Sequence, residues 1–229
     1  MLTAAEIDEW FRVLGYGCLD APVWYVGIEP GQKKGVDAIK PPDPDLRRTR
    51  IGDDEVLWHD YPDVGASGAW RRPLQLTARL YGLPDTGPEV EADAKRRVML
   101  TNIAPLPRHN IGVQIPDVDA AEYARMVIAR RLPLLQHLLE NLPTLRVLVF
   151  HGSTAWRRYR VEGHFGVTSE NRVVVPDTKH PMFAANLAGA KRIVLSRTFT
   201  DGRHFQDQDR DALAAQLVRW REEDGDWAT

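Results

Sequence analysis

Four short stretches of this chain place reactive or hydrogen-bonding side chains where an apolar run gives way to a turn. In Gly27-Ile28-Glu29-Pro30-Gly31, one Pro and two Gly stiffen the turn that carries Glu29. A carboxylate held in this way has a fixed direction and can serve as a general base or stabilise a cation. A solvated Glu in a surface turn is the plainer reading. In Leu100-Thr101-Asn102-Ile103-Ala104-Pro105, the Asn102 amide offers a donor and an acceptor, enough to read the edge of a planar base. An Asn at a strand end also serves simply to close an Asx turn. In Val149-Phe150-His151-Gly152-Ser153-Thr154-Ala155, small residues that open a helix leave backbone N–H groups for an anion, or else permit tight strand-to-helix packing. In Thr178-Lys179-His180-Pro181-Met182, the following Pro keeps His180 extended, so that its ring can be aimed into a pocket or can stand at the surface. No repeated His/carboxylate spacing suggests a metal site. His59-Asp60 and the His204–Asp207 pair are the remaining combinations of that kind.

The elements that must position these residues are legible as apolar patterns. Ile7, Trp10, Phe11 and Leu14 recur at helical spacing, and Thr3 with Glu6 has the pattern of a capping box, which predicts a helix over 3–14. Short buried-type runs predict strands at 23–26, 97–101, 146–150, 172–175 and 191–196. Further helices are predicted at 72–81, at 120–141 with Pro133 kinking or dividing it, around Trp156, and at 207–222. Strands that alternate with helices imply an α/β domain whose mainly parallel sheet is covered on both faces. In such sheets ligands bind at the carboxyl ends of strands, where Glu29, Asn102, His151 and His180 fall. The polar segment 32–60, with Pro41, Pro42, Pro44 and a basic knot at Arg47, Arg48 and Arg50, reads as an insertion or lid.

Composition removes several classes. The 229 residues suit one domain, with thirty Lys+Arg against thirty-two Asp+Glu and a formal net charge of -2. That balance argues against a protein that coats nucleic acid non-specifically, but it leaves room for a local basic cleft. Cys18 is the single cysteine, which excludes an intrachain disulfide, a four-thiolate zinc site and a cysteine-ligated iron–sulfur cluster. No apolar run approaches the roughly 20 residues of a membrane span, and the first residues lack a signal-peptide pattern. The expected setting is cytoplasmic.

Taken together and in order, the four elements resemble the uracil-DNA glycosylase superfamily. Its members follow the pattern strand–G-x-[D/N/A]-P-[Y/G], a glycine-containing segment and helix, strand–N, strand–G-x-x-A, then H-P-S. Here the corresponding residues are Gly27 to Gly31, Pro62 to Gly68, Asn102, His151 to Ala155, and His180-Pro181. The resemblance covers most of residues 20–182. It implies a three-layer α/β/α sandwich with a central, mainly parallel sheet of about four strands, in a single domain over 1–229 with a C-terminal extension at 183–229.

The resemblance also implies a monofunctional DNA N-glycosylase of base excision repair, acting as a monomer on DNA with no cofactor, metal or membrane. A flipped nucleotide would enter the pocket, since its glycosidic bond is inaccessible in the stack. Glu29 would orient water and stabilise the cationic sugar. His180 would donate a hydrogen bond to the departing base. Asn102 would read the base edge, with Gly27, Ile28, Tyr61 and Trp70 forming the pocket wall. Pro30, Gly31, Arg108, Gly152, Ser153 and Lys179 would contact phosphates, and Pro181 and Met182 would press into the duplex.

Three departures from the family pattern bear on the substrate. Glu29 stands at an Asp/Asn position, Asp63 aligns with the stacking aromatic, and Met182 replaces the Ser of H-P-S. They leave open uracil, hypoxanthine, xanthine or a modified cytosine as the base. The alternative is a non-catalytic module that binds damaged or modified DNA, or a nucleotide. An unrelated α/β hydrolase is a third reading, but the chain has no nucleophile elbow of the form G-x-S-x-G.

Overall fold

The computed structural model describes residues 3–28, 49–50, 68–84, 97–106, 118–199, 205–225 and 227, with the side chains of 49–50, 68–70 and 154–155 left aside. Helix α1 (Ala4–Arg12) begins with the expected capping box: Thr3 Oγ1 accepts from the Glu6 amide at 3.2 Å, and Glu6 accepts from the Thr3 amide at 2.7 Å. It ends two residues before the predicted stop because Val13 turns extended and starts strand β1 (Val13–Gly17). Strands β2 (Val23–Gly27), β3 (Thr49–Arg50), β4 (Met99–Asn102), β5 (Val147–His151), β6 (Arg172–Val174), β7 (Phe183–Asn186) and β8 (Arg192–Ser196) complete one sheet in the order β3-β1-β4-β2-β5-β8-β7-β6.

The chain is therefore α/β with a mixed sheet, and the expectation of about four strands is corrected to eight. The four central strands, β4-β2-β5-β8, pair in parallel. Antiparallel β1 and β3 extend one edge, and the β7 hairpin partner and β6 extend the other. Because β6 is antiparallel to β7, and β7 to β8, β6 runs in the same sense as the central strands. The carboxyl ends of all five, and the turn that follows β6, thus lie at one end of the sheet. Residues from 183 onward are no appendage, since β8 sits between β5 and β7. Of the segment anticipated as a lid, only β3 falls within the described residues.

Period-2 alternation along the strands splits the core into two layers. Trp24, Val26, Met99, Leu148, Phe150, Ile193 and Leu195 face one side, where they meet α1 and the helical run over 120–141. Val23, Tyr25, Leu100, Val147, Val149 and Val194 face the other, under α2 (Gly68–Leu80) and the final helix, Asp207–Glu223. The run over 120–141 is not one kinked helix. It comprises α3 (Ala120–Met126), a π-helical segment (Val127–Arg131) and α4 (Leu132–Asn141), with Pro133 in the first turn of α4. Pro lacks an N–H and crowds the carbonyl four residues back. The widened turn absorbs that conflict, and the Leu132 amide bonds the Val127 carbonyl five residues back. Helices α5 (Ser153–Arg158) and α6 (Val161–His164) follow β5, and we call the final helix α7.

A candidate base-binding crevice at the strand ends

Three neighbouring strands end on residues without bulky apolar side chains: Gly27 on β2, Asn102 on β4 and His151 on β5. Strand alternation puts all three on the sheet face that α2 and α7 cover, in phase with Tyr25, Leu100 and Val149. Gly27 pairs with Asn102 in the sheet register. Beyond that point, the amides of Ile103 and Ala104 donate to the carbonyls of Gly27 and Ile28 at 2.9 Å each, so the two strand ends leave the sheet together.

Gly27 holds the gap open. A Cβ at this position would lie 2.8 Å from Asn102 Oδ1 and 3.3 Å from both Cε1 and Nε2 of His151. The amide of Asn102 and the imidazole edge of His151 therefore address the same point. The Asn102 side chain makes no hydrogen bond among the described residues. Gly152 is the second glycine the site requires. Its φ of +111° favours glycine, and a Cβ there would fall 2.7 Å from the Ile28 side chain.

The two site residues that address this point are held by different means. The Asn102 carbonyl accepts from Arg131 Nε at 3.0 Å. Arg131 is fully buried; its Nη2 donates to the Leu14 carbonyl at 3.0 Å and to the Thr101 hydroxyl at 2.7 Å, and its Nη1 to the Phe11 carbonyl at 3.4 Å. Thr101 in turn donates to the Leu14 carbonyl. Burial draws the Arg131 pKa down to about 10, against a smaller upward pull from Tyr123, so the guanidinium stays charged at neutral pH. The π-helical turn is what carries Arg131 inward under the end of β4. His151 is fixed by stacking: its ring lies 4.4 Å from that of Phe199 at an interplanar angle of 5°. Phe199 packs in turn on Phe205 at 4.3 Å and against Tyr25 at 6.2 Å. Among the described residues His151 Nδ1 is buried without a partner, and desolvation pushes the imidazole pKa down to about 4. His151 is neutral at physiological pH.

His180 lies in the turn after β6, at the same end of the sheet. Its Nδ1 donates to Asp209 Oδ2 at 2.8 Å and its backbone N–H to Asp209 Oδ1 at 2.9 Å. Asp209 is 1% exposed and also accepts the Gln206 amide at 3.0 Å, where it closes the capping box of α7. Burial alone would raise its pKa, but the hydrogen bonds from the His180 ring and amide and from Gln206 outweigh it and hold the carboxyl below its usual range. The same helix start ties down the rest of the turn through Lys179 Nζ to Gln206 at 2.8 Å and Gln208 to the Asp177 carbonyl at 2.9 Å.

Among the predicted site residues, Gly27, Ile28, Asn102 and Gly152 thus come together; His180 lies at the same end of the sheet, after the edge strand β6, and is held there by α7. Glu29, Pro30, Gly31, Tyr61 and Arg108 lie outside the described residues, as do His59, Asp60, Asp63 and His204; Trp70 is described only as a position in the first turn of α2. Two expectations are corrected. Met182 is 2% exposed and packs into the core under α7, because the residue after Pro181 turns inward to lead into β7; it is not a wedge at the surface. The Gly152 amide already donates to the Ser196 carbonyl at 3.1 Å, which ties β5 to β8 and removes that N–H from any phosphate. Ser153 opens α5, which has only six residues. Lys179 and Pro181 are exposed.

Sequence reasoning placed His151 at a strand end without giving it a role, and did not single out Phe199 or Asp209. The alternation of β5 already assigns His151 to the face of Val147 and Val149. Asp209 carries the signature of an acidic residue three positions past a helix cap, which announces a capping box and not a partner for a distant His. Phe199 follows β8 with no local pattern at all.

No three His, Cys, Asp or Glu side chains gather as a metal site among the described residues, and no helix there is long and apolar enough to cross a membrane. Compared with known proteins, the chain matches no family model and no curated sequence.

Proposed function

We propose that this chain is a monofunctional DNA N-glycosylase that hydrolyses the glycosidic bond of a flipped uracil or another deaminated or modified base. The observation that carries this reading is the shared point at Gly27, where the Asn102 amide and the His151 edge meet at the carboxyl ends of parallel strands. A planar base with donors and acceptors on its edge is the ligand such an arrangement suits. The four-strand parallel centre of the sheet supports the same reading, as does a His anchored to a buried carboxylate at that end.

In the proposed reaction, positive charge develops on the sugar and negative charge on the departing base. Glu29 orients the attacking water and stabilises the cation. His180, whose ring Nδ1 is anchored on the Asp209 carboxylate, donates a hydrogen bond to the departing base.

The test is release of base from oligonucleotides that carry uracil, hypoxanthine, xanthine or modified cytosines. Abasic product is expected from at least one of them, and Glu29→Gln and His180→Ala are each expected to lower its rate by roughly tenfold or more. No product from any of them at micromolar enzyme overturns the reading. The second reading, a module that binds damaged DNA without turnover, is favoured by the burial of Met182 and the engagement of the Gly152 amide. Tight binding to abasic or modified DNA without product is its signature.

A further inference from the structure

We infer that His151 determines which base the crevice accepts, acting as a neutral imidazole that donates from Nε2 to a ring carbonyl oxygen while Asn102 reads the adjacent edge. The inference rests on the proposed base-binding role of this crevice and adds a residue that the four sequence motifs do not assign to it.

A neutral imidazole carries one N–H, on Nδ1 or on Nε2. His151 Nδ1 is buried and meets no partner among the described residues. An orphaned buried N–H is rarer in proteins than an under-used acceptor, because the donor forfeits its only hydrogen bond. The proton therefore belongs on Nε2. That atom lies 3.3 Å from the point a Gly27 Cβ would occupy, which is also 2.8 Å from Asn102 Oδ1. The near-parallel stack on Phe199 covers one ring face, so His151 meets a ligand edge-on, in the geometry of an in-plane hydrogen bond. The lack of a side chain at Gly27 leaves the space for that bond.

A fixed N–H donor discriminates by chemistry. It pairs with a carbonyl oxygen and opposes the amino group of cytosine or adenine, which would leave two donors facing each other. The ring does not invert this preference at neutral pH, because its accepting nitrogen, Nδ1, is the buried one.

Two measurements on the full chain test this. The first is the tautomer, read from imidazole nitrogen-15 correlations with His151 assigned by its loss in the variants. A proton on Nε2 whose resonance moves on titration with free uracil, and not with free cytosine, is expected. A proton on Nδ1 overturns the inference whatever the protein does to DNA. The second is preference between the two free bases in His151→Phe, which keeps the stack on Phe199, and in His151→Gln, which keeps a donor near Nε2. The Phe variant is expected to lose roughly tenfold of the preference for uracil, the value of one hydrogen bond, and the Gln variant to retain most of it. If the unaltered protein binds a base or releases one from DNA but the Phe variant keeps its preference, only the inference falls. If the unaltered protein binds neither base and releases none, the crevice reading falls and takes the inference with it.

Discussion

Asp209 accepts three hydrogen bonds from two segments: the ring and amide of His180 and the amide of Gln206. It is both the closing acid of the α7 cap and the anchor of the proposed leaving-group donor, so its removal should register in stability and in activity together. Asp209→Asn keeps one oxygen but loses the charge and places an N–H among donors. A loss of about 2 kcal/mol is expected at neutral pH, measured by urea unfolding. The sign of its pH dependence follows from the lowered carboxyl. The folded state favours the ionised form, so this stabilisation is fully present above the unfolded carboxylate value of about 4 and is lost as pH falls through the lower folded value. The gap between the two proteins should therefore narrow in acid, and an equal gap at about pH 7 and about pH 3 would show that the carboxylate charge is not what holds His180.

Glycines at strand ends and in strand interiors separate positioning from folding. Gly27 has an ordinary strand backbone, and a Cβ there meets the side chains of Asn102 and His151. Gly27→Ala should fold, with a stability change of no more than about 1–2 kcal/mol, yet fill the gap and lower base release or binding by roughly tenfold or more. Gly15 differs on both counts. Its φ is +142°, and a Cβ would fall 1.9 Å from the Leu100 backbone oxygen on β4. Backbone cannot swing aside as a side chain can, so Gly15→Ala should cost more than about 3 kcal/mol, read as a collapse of the unfolding midpoint. Equal effects at the two sites would remove the distinction. The contrast also marks where the sequence is readable. Strands β2, β4, β5 and β8 are continuous apolar runs because both their faces are buried, and all four were legible. Strand β1 is Val-Leu-Gly-Tyr-Gly and β7 is Phe-Ala-Ala-Asn, where Gly, Ala and Asn dilute the strand signal of Val, Tyr and Phe and tertiary pairing decides. Asn102 and His180 were legible from chemistry at strand or turn boundaries. The partners that aim them, Arg131 and Asp209, lie 29 residues away in sequence, and no local pattern joins such pairs.

At the scale of the whole molecule, the last elements complete what the first begin. A minimal domain that ends near Met182 with an extension behind it is the division the motifs suggest, since all four lie before that point. The sheet contradicts it: β8 stands next to the motif-bearing β5, with its Ser196 carbonyl on the Gly152 amide, and α7 supplies both the roof of one core layer and Asp209. Ile193, Val194, Leu195, Leu213, Leu217 and Trp220 are all buried, and each contributes roughly 1.5–3 kcal/mol. Together the six contribute about 9–18 kcal/mol, comparable to the about 5–15 kcal/mol of net stability available to an ordinary domain. A chain truncated after Met182 should therefore show no cooperative thermal or urea transition and no dispersed amide spectrum, although every sequence motif is still in it. A cooperative transition in the truncated chain would mean that β5 and the crevice residues it carries are held without β8, and that the motifs alone define the folding unit.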